Sequence, residues 1–286
     1  MSDVRARRFA VIGDPIAHSL SPAMHRAALA ELGLPHTYEA LRVPEAELPA
    51  TLDRLRRGAL HGLNVTVPHK VAVRSLCDAS TPEAIATGAC NTLWVDEAGR
   101  LVGANTDVEG LSADLRRLGA APRAALVLGA GGAARAAVLA LDLLGAEVTV
   151  AARRDDAAAA LARSLGHARA SSWLALEGPA AGFDLVVNAT SAGMAGTDDG
   201  APIAAALARA PIAAGAIAYD LVYRPPAGRR TTEFLARAEQ LGLRAVDGVG
   251  MLVEQGARAL SIFLSRRVTD EARDAMRAAV LRALGR

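Results

Sequence analysis

The chain has 286 residues, 52% of them hydrophobic but only 3% aromatic, and a formal net charge of +2. That length suits one large or two ordinary domains, and the near-neutral balance gives no basis for binding nucleic acid or an anionic membrane. No apolar run reaches membrane-spanning length without a charge, and two cysteines, Cys77 and Cys90, are too few for a disulfide framework and fit a reducing compartment. The opening MSDVRARRFAVIG runs into a strand pattern rather than a signal peptide. These features predict a soluble intracellular protein.

In chain order, Phe9–Gly13 reads as a strand. Ser21-Pro22 then reads as an N-cap with proline at the first helical position, opening a helix to about Leu32. His36–Val43 is a second strand, Glu45–Arg57 a helix, Gly62–Val67 a third strand, and residues 68–78 look helical. Asn91–Val95 and Leu101–Gly103 form a hairpin, and Thr106 or Asp107 starts a helix to about Leu118. After Gly119 the pattern changes. Ala124–Leu128 is a short apolar strand followed by a glycine turn and a helix over Ala133–Leu144. Ala146–Ala151, Asp184–Val187, Ala216–Asp220 and Ala245–Asp247 are further strands with helices between them, one capped by Thr231 or Thr232. Two helices, about 249–264 and 268–284, finish the chain. The alternation predicts an α/β fold, with a parallel sheet covered by helices on both faces.

Lys70 is the only lysine; every other Lys+Arg side chain is arginine. Arginine keeps its proton in a protein, whereas lysine can release one and its pKa moves readily. Asn64 and Thr66 lie on one face of a strand by its period of two, and Lys70 follows Pro68 at the strand's end, so three polar groups converge there. The alternative is a surface lysine without a role. Asp107 sits in GANTD; it is either a helix N-cap or, if Thr106 caps instead, a partner that holds and tunes the Lys70 ammonium.

The turn Gly129-x-Gly131-x-x-Ala134 follows a strand and opens a helix, a context that suits a pyrophosphate at backbone N–H groups. The alternative is a tight turn with no ligand. The next strand ends near Ala151, and Ala152, Arg153 and Arg154 stand where an NAD site would place an acidic residue; two guanidiniums suit a 2′-phosphate and so NADP. Asp155 and Asp156 could instead neutralise them. Ser19 and Ser21 read as a turn residue and a cap, or as hydroxyl donors to a small anion. His18, His25, His61 and His69 lack metal-ligand spacing, so no metal is expected. Cys77 and Cys90 read as packing residues.

Together these motifs resemble the shikimate dehydrogenase family: PIAHSLSPAMH (15–25), GLNVTVPHK (62–70), GACNTL (88–93), GANTD (103–107), GAGGAARA (129–136), NATSAGM (188–194), YDLVYRP (219–225) and DGVGMLVEQ (247–255). The resemblance implies reversible NADPH-dependent reduction of 3-dehydroshikimate to shikimate, on the route to chorismate and the aromatic amino acids, in the cytoplasm. It implies two three-layer α/β/α domains with a cleft between them. These are a substrate domain with a mixed sheet (residues 1–107) and a Rossmann-type NADP domain (108–246), with C-terminal helices (247–286) returning to the first. Lys70 and Asp107 match the catalytic pair. Ser19, Ser21, Asn64, Thr66, Asn91, Tyr223 and Gln255 match substrate-binding positions. Gly129, Ala130, Gly131, Gly132 and Ala133 match the pyrophosphate turn, Arg153 and Arg154 the 2′-phosphate clamp, and Leu221 and Gly248 positions near the nicotinamide. The expected partners are the substrate alone, with no nucleic acid and no membrane, and the expected state is a monomer or homodimer. The chain departs from the family where Ala152-Arg153-Arg154 replaces the usual Asn-Arg-Thr or Asn-Arg-Ser, where Arg26 replaces Asn, and where Cys90 replaces valine. The competing readings are a quinate/shikimate or aminoshikimate dehydrogenase and a non-catalytic NADP-binding regulator.

Overall fold

The computed structural model describes residues 5–194, 197–198, 200–225 and 228–286. The chain divides into two units, Met1–Gly110 with Val253–Arg286 and Leu111–Leu252.

In the first unit the strands are β1 (Arg8–Gly13), β2 (Thr37–Arg42), β3 (Gly62–Val65), β4 (Ala79–Ser80), β5 (Thr92–Val95) and β6 (Leu101–Ala104). They form one mixed sheet in the order β2-β1-β3-β5-β6-β4. β1 runs parallel to β2 and β3, while β5 lies antiparallel between β3 and β6. Residues Phe9–Gly13 of β1 and the whole of β3 are buried, as expected for strands covered on both faces. Helices α1 (Ser21–Glu31), α2 (Leu48–Arg56), α3 (Pro82–Thr87) and the start of α4 (Thr106–Arg117) belong here. The core joins Ile12, Leu63, Leu93 and Leu101 of the sheet to Leu52 and Leu55 of α2.

The second unit carries β7 (Ala124–Leu128), α5 (Gly132–Leu143), β8 (Glu147–Ala151), α6 (Asp155–Leu165), β9 (Ala168–Ala170), β10 (Phe183–Asn188), α7 (Ala201–Arg209), β11 (Ile212–Asp220), α8 (Glu233–Gln240) and β12 (Arg244–Val246). All pairings are parallel, in the order β12-β11-β10-β7-β8-β9. This is the doubly wound order, whose direction of growth reverses between β7 and β10; ligands bind outside the carboxyl ends of the strands at such a point. Helix α9 (Val249–Leu264) leads back into the first unit, where α10 (Asp270–Ala283) packs on α1. Among the described residues no helix is long and apolar enough to cross a membrane.

Several boundaries differ from the sequence expectation. Ser21 is the first residue of α1, and Leu20 is the cap residue. Ser19 Oγ instead accepts from the Ser21 N–H at 3.3 Å, so the satisfying oxygen comes from two residues earlier. β3 stops at Val65, and Pro68 beyond it has no N–H to carry a ladder further. Residues 68–78 contain one short 3-10 stretch, Ala72–Leu76, because so brief a segment does not offset the cost of nucleating an α-helix. Thr232, not Thr231, caps α8, its hydroxyl accepting from the Leu235 N–H. The short elements β4, α3 and β9 carry too few residues to show a period.

Candidate active site

Strand register builds the first constellation. Asn64 stands opposite Thr92, and Thr92 opposite Ala104. The adjacent ends of β3, β5 and β6 therefore bring together three segments distant in sequence: 64–70, 90–92 and 104–107. Asn105 then decides the start of α4. Its side-chain carbonyl accepts from the Asp107 N–H at 3.1 Å, while its amide donates to Thr87 Oγ1 at 3.0 Å and the Ala89 carbonyl at 3.2 Å. Neither Thr106 nor Asp107 serves as the cap, so the Asp107 carboxylate is available elsewhere.

That carboxylate meets Lys70. Lys70 Nζ donates to Asp107 Oδ2 at 2.7 Å, with the lysine side chain 21% and the aspartate 8% exposed. The other carboxylate oxygen accepts from Asn91 Nδ2 at 2.8 Å. Asn91 commits its second amide hydrogen to Thr106 Oγ1 at 3.0 Å, and its carbonyl accepts from the Thr106 N–H at 2.8 Å and the Thr92 hydroxyl at 3.0 Å. Asn64 is held in the same way. Its amide donates to the Asn91 backbone carbonyl and Thr92 Oγ1, and its oxygen accepts from the buried Tyr38 hydroxyl at 2.7 Å. The His25 ring stacks flat on Tyr38, centroids 4.0 Å apart.

The backbone around Lys70 is pinned on both sides. Its carbonyl accepts from the Cys90 N–H at 2.7 Å. The buried His69 places Nε2 2.6 Å from the Val43 carbonyl, so that nitrogen carries the proton. Thr66 and Val67 approach β1 so closely that a β-carbon on Gly13 would meet Thr66 Cγ2 at 2.6 Å; only glycine fits. Ser19, Ser21 and Thr66 also lie in this unit, as does Gln255 of α9, which packs on Gly110. Lys70 is therefore an amine beside an anchored carboxylate, an arrangement able to give and take one proton.

The second unit holds a cavity of about 610 Å³ at the carboxyl ends of β7, β8 and β10. Gly129, Ala130 and Gly131 line it, with Arg153 and Arg154 on one side and Thr190 and Ser191 on another. Gly129 has φ +122°, open to glycine alone among common residues, and its N–H bonds the Ala151 carbonyl at 2.8 Å. Gly131 precedes α5 with no side-chain cap, and nothing stands within 4 Å of a β-carbon at Gly131 or Gly132. With Ala133 in the first turn, the helix N-terminus has no side-chain cap and leaves room beside Gly131 and Gly132 for an anion. Arg153 and Arg154 are exposed, and among the described residues neither makes an ion pair. Among the described residues Asp155 makes no ion pair with either arginine; its oxygens accept from the Trp173 N–H and the Ser172 hydroxyl. The residues thus fit a dinucleotide with an extra phosphate.

Tyr223, Leu221 and Gly248 belong to the second unit. Gly248 abuts the Leu221 carbonyl so closely that no β-carbon fits. Burial pushes the Tyr223 phenol above its usual range, keeping it a neutral donor. The sequence does not single out Tyr38, which holds Asn64, Thr92, which donates to Asn91, and Asn105, which caps α4, nor Trp173, Thr190, Ser191 and Ile203, which line the cavity. Thr190 and Ser191 lie in the NATSAGM segment (188–194) but carry no periodic or spacing signal of their own. Among the described residues no group of three or more His, Cys, Asp or Glu is placed to hold a metal.

Comparison with known proteins bears on this arrangement. The family described as shikimate dehydrogenase substrate binding domain matches residues 11–93. The chain is 44% identical to a shikimate dehydrogenase (NADP(+)) of Citrifermentans bemidjiense over 88% of each chain. It is 46% identical to that of Methylobacterium radiotolerans, over 96% of this chain and 97% of the relative. A shikimate 5-dehydrogenase of Thermus thermophilus, solved with NADP(H) and shikimate, superposes with a TM-score of 0.82 at 40% identity, covering 97% of this chain and all of that one.

Proposed function

Because the chain belongs to the shikimate dehydrogenases, we propose that Lys70 and Asp107 carry the proton transfer of its reaction, the NADP-dependent interconversion of 3-dehydroshikimate and shikimate. NADPH, when bound, supplies the hydride. As the ketone becomes an alkoxide, the Lys70 ammonium stabilises the developing charge and donates its proton; in reverse, the neutral amine takes the proton from the alcohol. Asp107 holds that ammonium, and Asn91 holds Asp107 from the other side. The single observation that carries this reading is the 2.7 Å Lys70–Asp107 contact, with the second carboxylate oxygen anchored at 2.8 Å.

Both amide hydrogens of Asn64 and of Asn91 are committed within the protein. Asn91 therefore positions Asp107, and Asn64 has only a lone pair to offer a ring hydroxyl. The hydroxyls of Ser19, Ser21 and Thr66 in the first unit, and of Tyr223 in the second, would be neutral donors for the substrate carboxylate and hydroxyls, and the Gln255 amide would be a further polar contact. Gly129, Ala130, Gly131, Gly132 and Ala133 would hold the cofactor pyrophosphate, Arg153 and Arg154 its 2′-phosphate, and Leu221 and Gly248 would border the nicotinamide. The protein works in the cytoplasm on small molecules alone, as a monomer or homodimer; its two free cysteines fit such a reducing compartment.

The test is shikimate-dependent reduction of NADP by the purified chain, followed by absorbance, with quinate and NAD as parallel arms. Turnover strongest with shikimate and NADP is the expected result. Preference for quinate or NAD would move the protein to a paralogous role, and nucleotide binding without turnover would overturn the enzymatic reading.

A further inference from the structure

Cys77 and Cys90 are the only cysteines in the chain, and the fold brings them together. Cys90 sits just before β5 and is fully buried; Cys77 follows the 3-10 stretch Ala72–Leu76 and is half-buried. Both sulfurs converge on Gly103 of β6. A β-carbon there would meet Cys90 Sγ at 2.5 Å and Cys77 Sγ at 2.8 Å, so the glycine leaves room for two neighbouring thiols.

The two thiols are not equivalent. The hydrogen bond from Cys90 is the largest influence on Cys77 and holds it below the ordinary thiol range, with Arg56 and Arg74 acting in the same direction against burial and Asp78. That bond and burial push Cys90 up. Cys77 is thus the more exposed sulfur and the better nucleophile, with a second thiol held against it.

Their place in the fold ties them to the reaction. The Cys90 N–H donates to the Lys70 carbonyl at 2.7 Å, and the next residue, Asn91, holds Asp107 and the start of α4. A shift of Cys90 reaches Lys70 through one hydrogen bond and Asp107 through one covalent link and one side chain. A disulfide of about 2.05 Å draws two sulfurs far inside their non-bonded separation.

We propose that Cys77 and Cys90 form a hydroperoxide-responsive modification site whose disulfide slows catalysis by displacing Cys90 against Lys70 and Asn91. The regulatory part rests on the role of the Lys70–Asp107 pair given above. The Cys77 thiolate attacks one peroxide oxygen; the O–O bond breaks and hydroxide leaves, giving a sulfenic acid. Cys90 sulfur then attacks Cys77 sulfur; the S–O bond breaks, the S–S bond forms and water leaves. The peroxide gains two electrons, the two sulfurs lose them, and both thiol protons end in water. A dithiol reductant reverses the change.

The test treats the full reduced chain with graded hydrogen peroxide. It reads intact mass, free-thiol count and shikimate-dependent NADP reduction, before and after dithiothreitol. Both thiols should disappear together with the mass of two hydrogens. kcat should fall by at least about tenfold, within the range a displaced catalytic group loses, and return on reduction. Cys77→Ser should keep its activity and resist peroxide, and Cys90→Ala should form no intramolecular disulfide. A disulfide that leaves kcat unchanged overturns the proposal, as does oxidation to sulfinic acid without an S–S bond or equal inactivation of Cys77→Ser. Absence of turnover in the fully reduced chain would sink the role of Lys70 and Asp107, and the regulatory claim with it, whereas the mass and thiol count decide the disulfide independently.

Discussion

Replacing Asn91 by leucine keeps the shape of a buried side chain and removes its hydrogen bonds. The Thr92 and Thr106 hydroxyls, 3.3 Å apart, can pair with each other. Two groups cannot recover. The Thr106 N–H, buried at the start of α4, loses its 2.8 Å acceptor, a loss of about 1–3 kcal/mol. Asp107 Oδ1 loses a 2.8 Å bond to a charged acceptor, about 1.5–3 kcal/mol. The first unit should therefore lose about 2.5–6 kcal/mol, a large part of the roughly 5–15 kcal/mol that holds a domain together. Urea unfolding should show a lower midpoint with an unchanged slope. With Asp107 no longer anchored, kcat for shikimate oxidation should fall about a hundredfold, the scale of a misplaced catalytic group. Asn91→Asp adds a distinct signature: a second carboxylate against Asp107 Oδ1 forces the two to share a proton and makes stability strongly pH-dependent. A loss below about 1 kcal/mol in Asn91→Leu with kcat intact would refute the reasoning that Asn91 positions the pair.

Lys70→Arg should keep the fold and NADP affinity but lower turnover at least about a hundredfold, because a guanidinium does not exchange its proton; steady-state kinetics beside an NADP titration checks both, and near-normal turnover would reject the lysine's role. Replacing Arg153 and Arg154 together by alanine should raise the KM for NADP far more than for NAD, and equal effects would remove the 2′-phosphate argument. Two buried groups give stability opposite pH slopes. Burial lowers His25 from 6.5 to about 3, so the unfolded chain gains a proton that the folded chain refuses. The stability His25 contributes is present above pH 6.5 and is lost as pH falls toward 3, at up to about 1.4 kcal/mol per pH unit. Burial raises Asp220 from 3.8 to about 6 despite its bonds from Thr232, Val222 and Asn188. Its contribution is greatest below pH 3.8 and is lost as pH rises to about 6. Urea midpoints between about pH 4 and 7 should therefore show His25→Phe gaining on the wild type as pH falls and Asp220→Asn gaining as pH rises; parallel curves would contradict both assignments.

The local features of the protein are written in the order of its residues. The apolar run at 124–128, the glycines after it and the helix that follows announce a dinucleotide turn because strand, turn and helix preferences act over a few neighbouring positions. Lys70 stands out by composition alone. The details that reach across the chain are of another kind. Lys70 and Asp107 lie 37 positions apart and meet only because β5 inserts antiparallel between β3 and β6, aligning Asn64, Thr92 and Ala104. That insertion puts Asn91 against Asp107 and gives the helix cap to Asn105 rather than to Thr106 or Asp107, while the parallel order β2-β1-β3 seats Tyr38 behind Asn64. It also places two cysteines over one glycine, where the chain shows only two small apolar residues. Period and propensity are properties of neighbouring residues, whereas register is set by pairing between distant strands. The residue types of the site could therefore be read along the chain, but who holds whom depends on the sheet.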